Sequence, residues 1–199
     1  GCPVPAAAFA ASPYPTRQSG RESIAVTNLA GDAAVEISGC YTGVGAGAFR
    51  KTMAEMTPEL LDRYEQDLVA DISQGALRRG RMDIRTNECD CAFGISADVP
   101  HYAVRGGPTL RLSGGGSSAP IRLRTAKRAT PFEIAGYQKS TAVCEVSVPA
   151  GCSTLSLPSS FALALPGGAG RISQTVTPGA EGGVLVETIC DLEPAILTP

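Results

Sequence analysis

The chain has 199 residues, which is enough for one domain with a buried core. Hydrophobic residues make up 43% of it and charged residues 18%, a balance that excludes an intrinsically disordered protein. Its 17 basic and 19 acidic residues give a net charge of −2, which creates no field to attract nucleic acid or anionic lipid. Because no apolar run is long enough to cross a bilayer, we also expect no transmembrane segment.

The first 20 residues favour an extended arm. Proline fixes φ and lacks an N–H donor, and this stretch holds four prolines among small residues: Pro3, Pro5, Pro13 and Pro15. Extended arms often bind neighbouring subunits, and a frayed terminus explains the same composition equally well. We therefore predict an arm over residues 1–20 and a single β-rich domain over residues 21–199.

Cys2 lies in this arm and is the natural odd member of the seven cysteines. The dipeptide Gly1-Cys2 resembles the end of a bacterial lipobox, in which the cysteine is lipidated. This resemblance covers two residues. We therefore expect Cys2 to be a free thiol, a lipid tether or a link to another chain.

A β-hairpin is expected next. Apolar residues alternate at Ile24 and Val26 and again at Val35 and Ile37, and turn-forming residues lie between the two runs. Because successive side chains of a strand point to opposite faces, these four residues would share the face that packs on the core.

The glycine-rich stretch GVGAGAFRKT, residues 43–52, has the context of a phosphate-binding loop, with a strand before it and a helix after it. In that motif a glycine precedes the lysine so that the backbone can approach phosphate. Here Arg50 occupies that position before Lys51 and Thr52, and its side chain would block the approach. We therefore expect no nucleotide cofactor and interpret the stretch as a flexible turn into a helix.

Residues 57 to 75 carry the clearest helix signals. Thr57 suits an N-cap and Pro58 the first helical position, and an apolar stripe follows at helical spacing: Leu61, Tyr64, Leu68 and Ile72. The residues between them, including Glu65, are assigned to the polar face, and Gly75 to the end of the helix. This gives one amphipathic helix within a helical insertion over about residues 46–79. The arginines after it suggest a solvated surface, or else a contact with an anion or partner: Arg78, Arg79, Arg81 and Arg85.

From Met82 onward the hydrophobic period is two. Short alternating runs are separated by Gly, Pro and Ser clusters, and they predict seven or more strands. That number of strands is typical of an antiparallel β-sandwich, of jelly-roll or immunoglobulin-like type, with one wet face. With no tryptophan and few other aromatic residues, the sheet lacks the stacking platform of a carbohydrate- or single-strand-binding face.

The cysteines are spread along the chain, which is typical of disulfides. Cys89 and Cys91 are one residue apart, a spacing that suits neither a zinc knuckle nor a C-x-x-C redox site, and a single histidine leaves few other soft ligands. The alternatives are free thiols in a reducing compartment and, least favoured, a metal site. We predict no metal and the following disulfide candidates: Cys40, Cys89, Cys91, Cys144, Cys152 and Cys190.

His101 is the one side chain with a moderate unperturbed pKa, and Asp98 lies three residues before it. No serine occupies a G-x-S-x-G elbow that would mark a nucleophile. A histidine beside a proline in an extended segment is more often a surface or packing residue. A small secreted hydrolase centred on His101 and Asp98 is therefore the alternative hypothesis.

The favoured hypothesis is a non-enzymatic structural or accessory subunit of an extracellular, cell-envelope or particle assembly. Its partners would be other protein subunits, identical or different, and it would need no cofactor. The predicted disulfides place it outside the cytoplasm, as a secreted, periplasmic or cell-surface protein.

Overall fold

The computed structural model describes residues 16–87, 90–112, 132–134, 136–154 and 156–197. Residues 1–15 of the predicted arm, with Cys2, lie outside this part of the chain. The first strand begins at Thr16, so residues 16–20 belong to the sheet and not to the arm. The first half of the domain consists of β1 (Thr16–Val26), β2 (Ala33–Thr42), α1 (Val44–Glu55), α2 (Pro58–Ile72), β3 (Leu77–Thr86) and β4 (Asp90–Val99).

The second half is almost entirely strands, as the period-two pattern predicts. It contains β5 (Ala103–Gly106), β6 (Thr109–Leu112), β7 (Phe132–Ile134), β8 (Gln138–Ser147), β9 (Phe161–Ala164), β10 (Gly170–Pro178), β11 (Val184–Leu192) and β12 (Ala195–Leu197). The predicted strand over PIRLRT, residues 120–125, falls outside the described residues. No helix of the described residues has both the length and the apolar character to span a membrane.

Eight strands form one open sheet in the order β3-β4-β2-β1-β8-β11-β10-β9. The predicted hairpin is confirmed, with Ile24 opposite Val35. The sheet is mixed because β1 runs parallel to β8, with Glu22 next to Cys144. The described residues thus show a mainly β fold but not the predicted antiparallel sandwich. Strands with one solvent-exposed face occur both in a sheet covered by helices and in a sandwich of two sheets. The alternation of apolar and polar residues does not distinguish these folds.

One face of the sheet is apolar and the other is polar. The apolar face carries Ile24, Val35, Ile95 and Ala97, all at most 4% exposed. Side chains at the alternate positions of the same strands point to the polar face. Arg21 pairs with Glu145 there, and Arg79 pairs with Asp98. Both helices pack on the apolar face, so the domain has two layers where they lie.

Helix α1 contains the glycine-rich stretch. It begins at Val44, so Gly45 and Gly47 are helical residues and not a loop. Phe49 stacks on Tyr41 and Phe93, with ring centroids 5.2 Å and 5.9 Å away. The sequence predicts one helix in this region, and the structure has two.

Helix α2 matches its predicted start, because the Thr57 hydroxyl accepts a hydrogen bond from the N–H of Leu60 at 3.3 Å. The predicted apolar stripe faces the core together with Val69. The helix ends at Ile72, before the predicted Gly75.

The assignment of Glu65 to the polar face is wrong, because its side chain is fully buried. Its carboxylate accepts hydrogen bonds from Arg78 at 2.5 Å and from the backbone N–H of Met82 at 3.2 Å. Arg78 also binds Asp62, at 2.8 Å. Arg78 and Arg81 therefore join β3 to α2 through ion pairs with Asp62 and Glu65, whereas Arg79 and Arg85 pair with acids of the sheet.

Candidate functional site

The described cysteines form no disulfide with one another. All five are free thiols: Cys91, Cys144 and Cys190 are buried, and Cys40 and Cys152 are half-exposed. Cys89 and Cys2 lie outside the described residues. The pairing predicted for these disulfide candidates is therefore not seen in the part of the chain that the structure describes.

Strand register explains why neighbouring cysteines stay apart. Cys91 pairs with Tyr41, so Cys40 is one position away on the paired strand and points to the opposite face. Cys144 pairs with Val186, and Cys190 lies four residues further along β11. That offset is about 13 Å at the usual rise of a strand, whereas bonded cysteines have Cα atoms about 4.4 to 6.8 Å apart.

We expect thiol titration in denaturant without reductant to detect at least five thiols per chain. In the native protein, Cys40 and Cys152 should react first because they are half-exposed. Cys144 should react slowly, because burial raises the pKa of its thiol to about 11 and little thiolate forms at neutral pH. A count below five in denaturant would contradict the structure and restore the case for an oxidising compartment.

The structure does not bring His101 and Asp98 together. Asp98 pairs with Arg79 at 2.7 Å, on the polar face of the sheet. His101 lies in a turn with a φ of 52° and a side chain that is 80% exposed. Its Nδ1 is 3.8 Å from Oδ1 of Asp32, and its backbone N–H donates to the same atom at 2.9 Å. This arrangement holds a turn together.

Asp32 is the carboxylate beside His101. Its pKa lies below the usual value because it accepts hydrogen bonds from the Asn28 side chain and from the backbone N–H of His101. The lowered pKa keeps the group ionised, so it serves the loop between β1 and β2 as a hydrogen-bond acceptor and is a poor proton acceptor for catalysis.

Lys51 lies in the middle of α1, where its Nζ is 3.9 Å from Oε1 of Glu55. Arg50 donates a hydrogen bond to the backbone carbonyl of Asn87. A phosphate loop needs free backbone N–H groups at the start of a helix, and here the helix begins seven residues before the lysine.

The two edges of the sheet differ sharply, and one of them is the candidate functional site. At one end lies β9, whose four residues are all exposed and apolar. Phe161 is 48% exposed and Leu163 is 54% exposed, and the two share one face of the strand. An edge strand with apolar side chains and unpaired backbone groups is a template for another strand.

The opposite edge, β3, has the features that prevent strand pairing. It carries Arg79, Arg81, Asp83 and Arg85, and its register shifts between Arg79 and Asp83. Charged side chains and a bulge are the usual protection of an edge. Among the described residues, the sheet therefore has one protected edge and one permissive edge. The alternating pattern predicts β9 as a strand, but it contains no signal that the strand lies at the edge.

Metal ligands do not converge in the described part of the chain, where no three His, Cys, Asp or Glu side chains lie close enough to hold an ion.

Comparison with known proteins does not assign the chain to a family. No family model matches the chain, and neither a curated protein nor a solved structure shows significant similarity to it.

Proposed function

We propose that the protein is a non-enzymatic structural or accessory subunit of a larger assembly, and that β9 joins it to a second copy of the chain. The observation that carries this proposal is the contrast between the exposed apolar edge β9 and the charged, bulged edge β3. The extracellular, cell-envelope or particle setting expected from the sequence is kept as part of the proposal, although the five described thiols give it no support. The thiol count tests it.

Two copies can meet edge to edge through β9. In an antiparallel pair that keeps the apolar side chains on one face, Phe161 of each copy lies opposite Leu163 of the other. The dimer therefore contains this contact twice. Apolar cross-strand pairs of this kind stabilise a sheet by about 0.2 to 1 kcal/mol each, in addition to the backbone hydrogen bonds.

The protected edge β3 supports a closed dimer over a filament. A filament needs two different surfaces on each subunit, such as β9 of one copy against β3 of the next. Arginines and the bulge oppose that contact. Pairing of β9 with itself uses one surface twice and closes after two subunits.

The position of His101 supports the non-enzymatic part of the proposal. A catalytic base needs a cleft and a second group within hydrogen-bond reach, whereas this side chain is exposed in a turn. No described contact favours the alternative hydrolase.

Leu163→Lys is expected to convert the dimer into a monomer. The substitution places a charge opposite the partner's Phe161 twice in each dimer, and we expect the dissociation constant to rise at least about tenfold. Because Leu163 is exposed, the free energy of unfolding should change by only about 0.5 kcal/mol or less. Sedimentation velocity over a dilution series measures the association.

Leu77→Lys is the matched control. Leu77 is 66% exposed and lies on the opposite edge, so this variant should dimerise like the unchanged protein. A protein that is monomeric before any substitution, or a Leu77→Lys variant that dissociates, would overturn the proposed interface.

A further inference from the structure

A cleft of about 640 Å³ lies between helix α2 and the middle strands of the sheet. Sites for small organic ligands commonly measure about 300 to 1,000 Å³. Leu68 and Ile72 line it from the helix, and Tyr102 lines it from the segment after β4. The cleft is separate from the β9 edge, since no residue of β9 lines it.

Small residues in register create this space. Four paired residues form one row across neighbouring strands. In order they are Gly39 of β2, Gly20 of β1, Ala142 of β8 and Thr188 of β11. This row crosses four strands on the apolar face. The Phe93 ring covers Gly39, where a Cβ would lie 2.4 Å from it, so the open floor of the cleft is formed by Gly20 and Ala142. Larger side chains stand beside it in the adjacent row, formed by Ile37, Glu22, Cys144 and Val186.

Glu22 is the charged group of that adjacent row. Burial raises the pKa of its carboxyl, and no basic side chain among the described residues forms an ion pair with it. Tyr102 lies near it, and burial followed by the charge of Glu22 raises the pKa of the phenol to about 12. The Cys144 thiol likewise stays protonated. Tyr102 and Cys144 are therefore neutral at pH 7, and Glu22 can become an anion.

All the ionic character of the cleft is acidic. Asp71 lies at its rim on helix α2. Arg21 contributes to the lining, but its side chain pairs with Glu145 on the polar face of the sheet. A bound cation would therefore meet a carboxylate with no competing arginine, and its hydrocarbon part would meet Ile37, Phe93 and other apolar walls.

We propose that the cleft binds an apolar amine, whose hydrocarbon part lies over Gly20 and Ala142 beside the Phe93 ring and whose ammonium group pairs with the Glu22 carboxylate. A charge-assisted hydrogen bond in a half-buried site is stronger than a neutral one, which makes the ammonium preferable to a hydroxyl of the same chain length. A carboxylate ligand would place two anions together and would be rejected.

Titration calorimetry at pH 7 with octylamine, octanol and octanoate tests the proposal, because these probes differ only in their polar group. We expect octylamine to bind at least about tenfold more tightly than octanol, and octanoate to bind more weakly than either. Glu22→Gln should remove the preference for the amine while leaving octanol binding unchanged. Ala142→Phe fills the floor of the cleft and should weaken all three probes.

Glu36→Gln is the matched control, since Glu36 lies on the neighbouring strand and points to the opposite face. It should retain the preference for octylamine. Absence of binding to the unchanged protein, equal binding of octanoate, or a preference that survives Glu22→Gln would each overturn the proposal. Leu163→Lys should bind octylamine normally, so failure of the dimer and failure of this site are distinguishable.

Discussion

Glu65→Ala is expected to lower the free energy of unfolding by about 3 to 5 kcal/mol, the usual cost of breaking a buried ion pair on one side. The substitution removes one of the two carboxylates that bind Arg78, whose side chain is only 22% exposed, and it removes the acceptor for the backbone N–H of Met82. The Met82 N–H would stay buried without its acceptor, and an unsatisfied buried donor loses its hydration without compensation. Arg78 would keep Asp62 but lose the fully buried half of its ion-pair network. Among the described residues, the ion pairs left between helix α2 and strand β3 would be those of Asp62 with Arg78 and Arg81.

Urea denaturation followed by circular dichroism measures this effect. Asp67→Ala is the matched control, because it removes another acid from α2 at an exposed position. We expect that variant to differ from the unchanged protein by about 0.5 kcal/mol or less. Equal stability of the two variants would show that the Glu65 cluster does not hold the helix to the sheet.

Gly170→Ala is expected to lower the free energy of unfolding by about 2 to 5 kcal/mol, which combines backbone strain with overpacking. Gly170 opens β10 with a φ of +126°, a conformation that side chains disfavour. A Cβ at this position would lie 2.0 Å from the carbonyl oxygen of Asp191 in β11. Because that neighbour is backbone, the two strands would have to separate locally.

Gly168→Ala separates the two causes. Gly168 also has a positive φ, of +70°, but a Cβ there would meet nothing within 4 Å. We expect this variant to lose only about 1 to 2 kcal/mol from backbone strain. The same denaturation experiment compares the two variants, and equal losses would contradict a steric role for the contact with Asp191.

Local sequence patterns determined much of the secondary structure of this protein, although they did not show that the glycine-rich stretch lies within helix α1. Residues Thr57 and Pro58 start helix α2 because capping and the first helical turn depend on near neighbours. The alternation of Ile24, Val26, Val35 and Ile37 gives the first hairpin for the same reason, since its turn is short. The later strands also follow their alternating patterns, except where residues lie outside the described part of the chain.

The tertiary structure decided which strands pair and which face is covered. The parallel pair of β1 and β8 joins residues more than 100 positions apart, and no local pattern encodes such a partner. The same pairing brings Glu22 to Cys144 and makes one open mixed sheet in place of the expected sandwich. It also leaves β9 at an edge, a position that depends on the order of all eight strands.

Glu65 and His101 show, for two individual residues, what local sequence determined and what the tertiary structure decided. From its charge, Glu65 is assigned to the polar face of the helix, although it falls four residues after Leu61 and three before Leu68. Its burial became favourable only because β3 supplied Arg78 and the Met82 N–H from elsewhere in the chain. The sequence placed Asp98 three residues before His101. In the fold, Asp98 pairs with Arg79, and His101 lies beside Asp32 instead. The partner of an ionisable group depends on which strands and loops meet in space, and local sequence does not determine that.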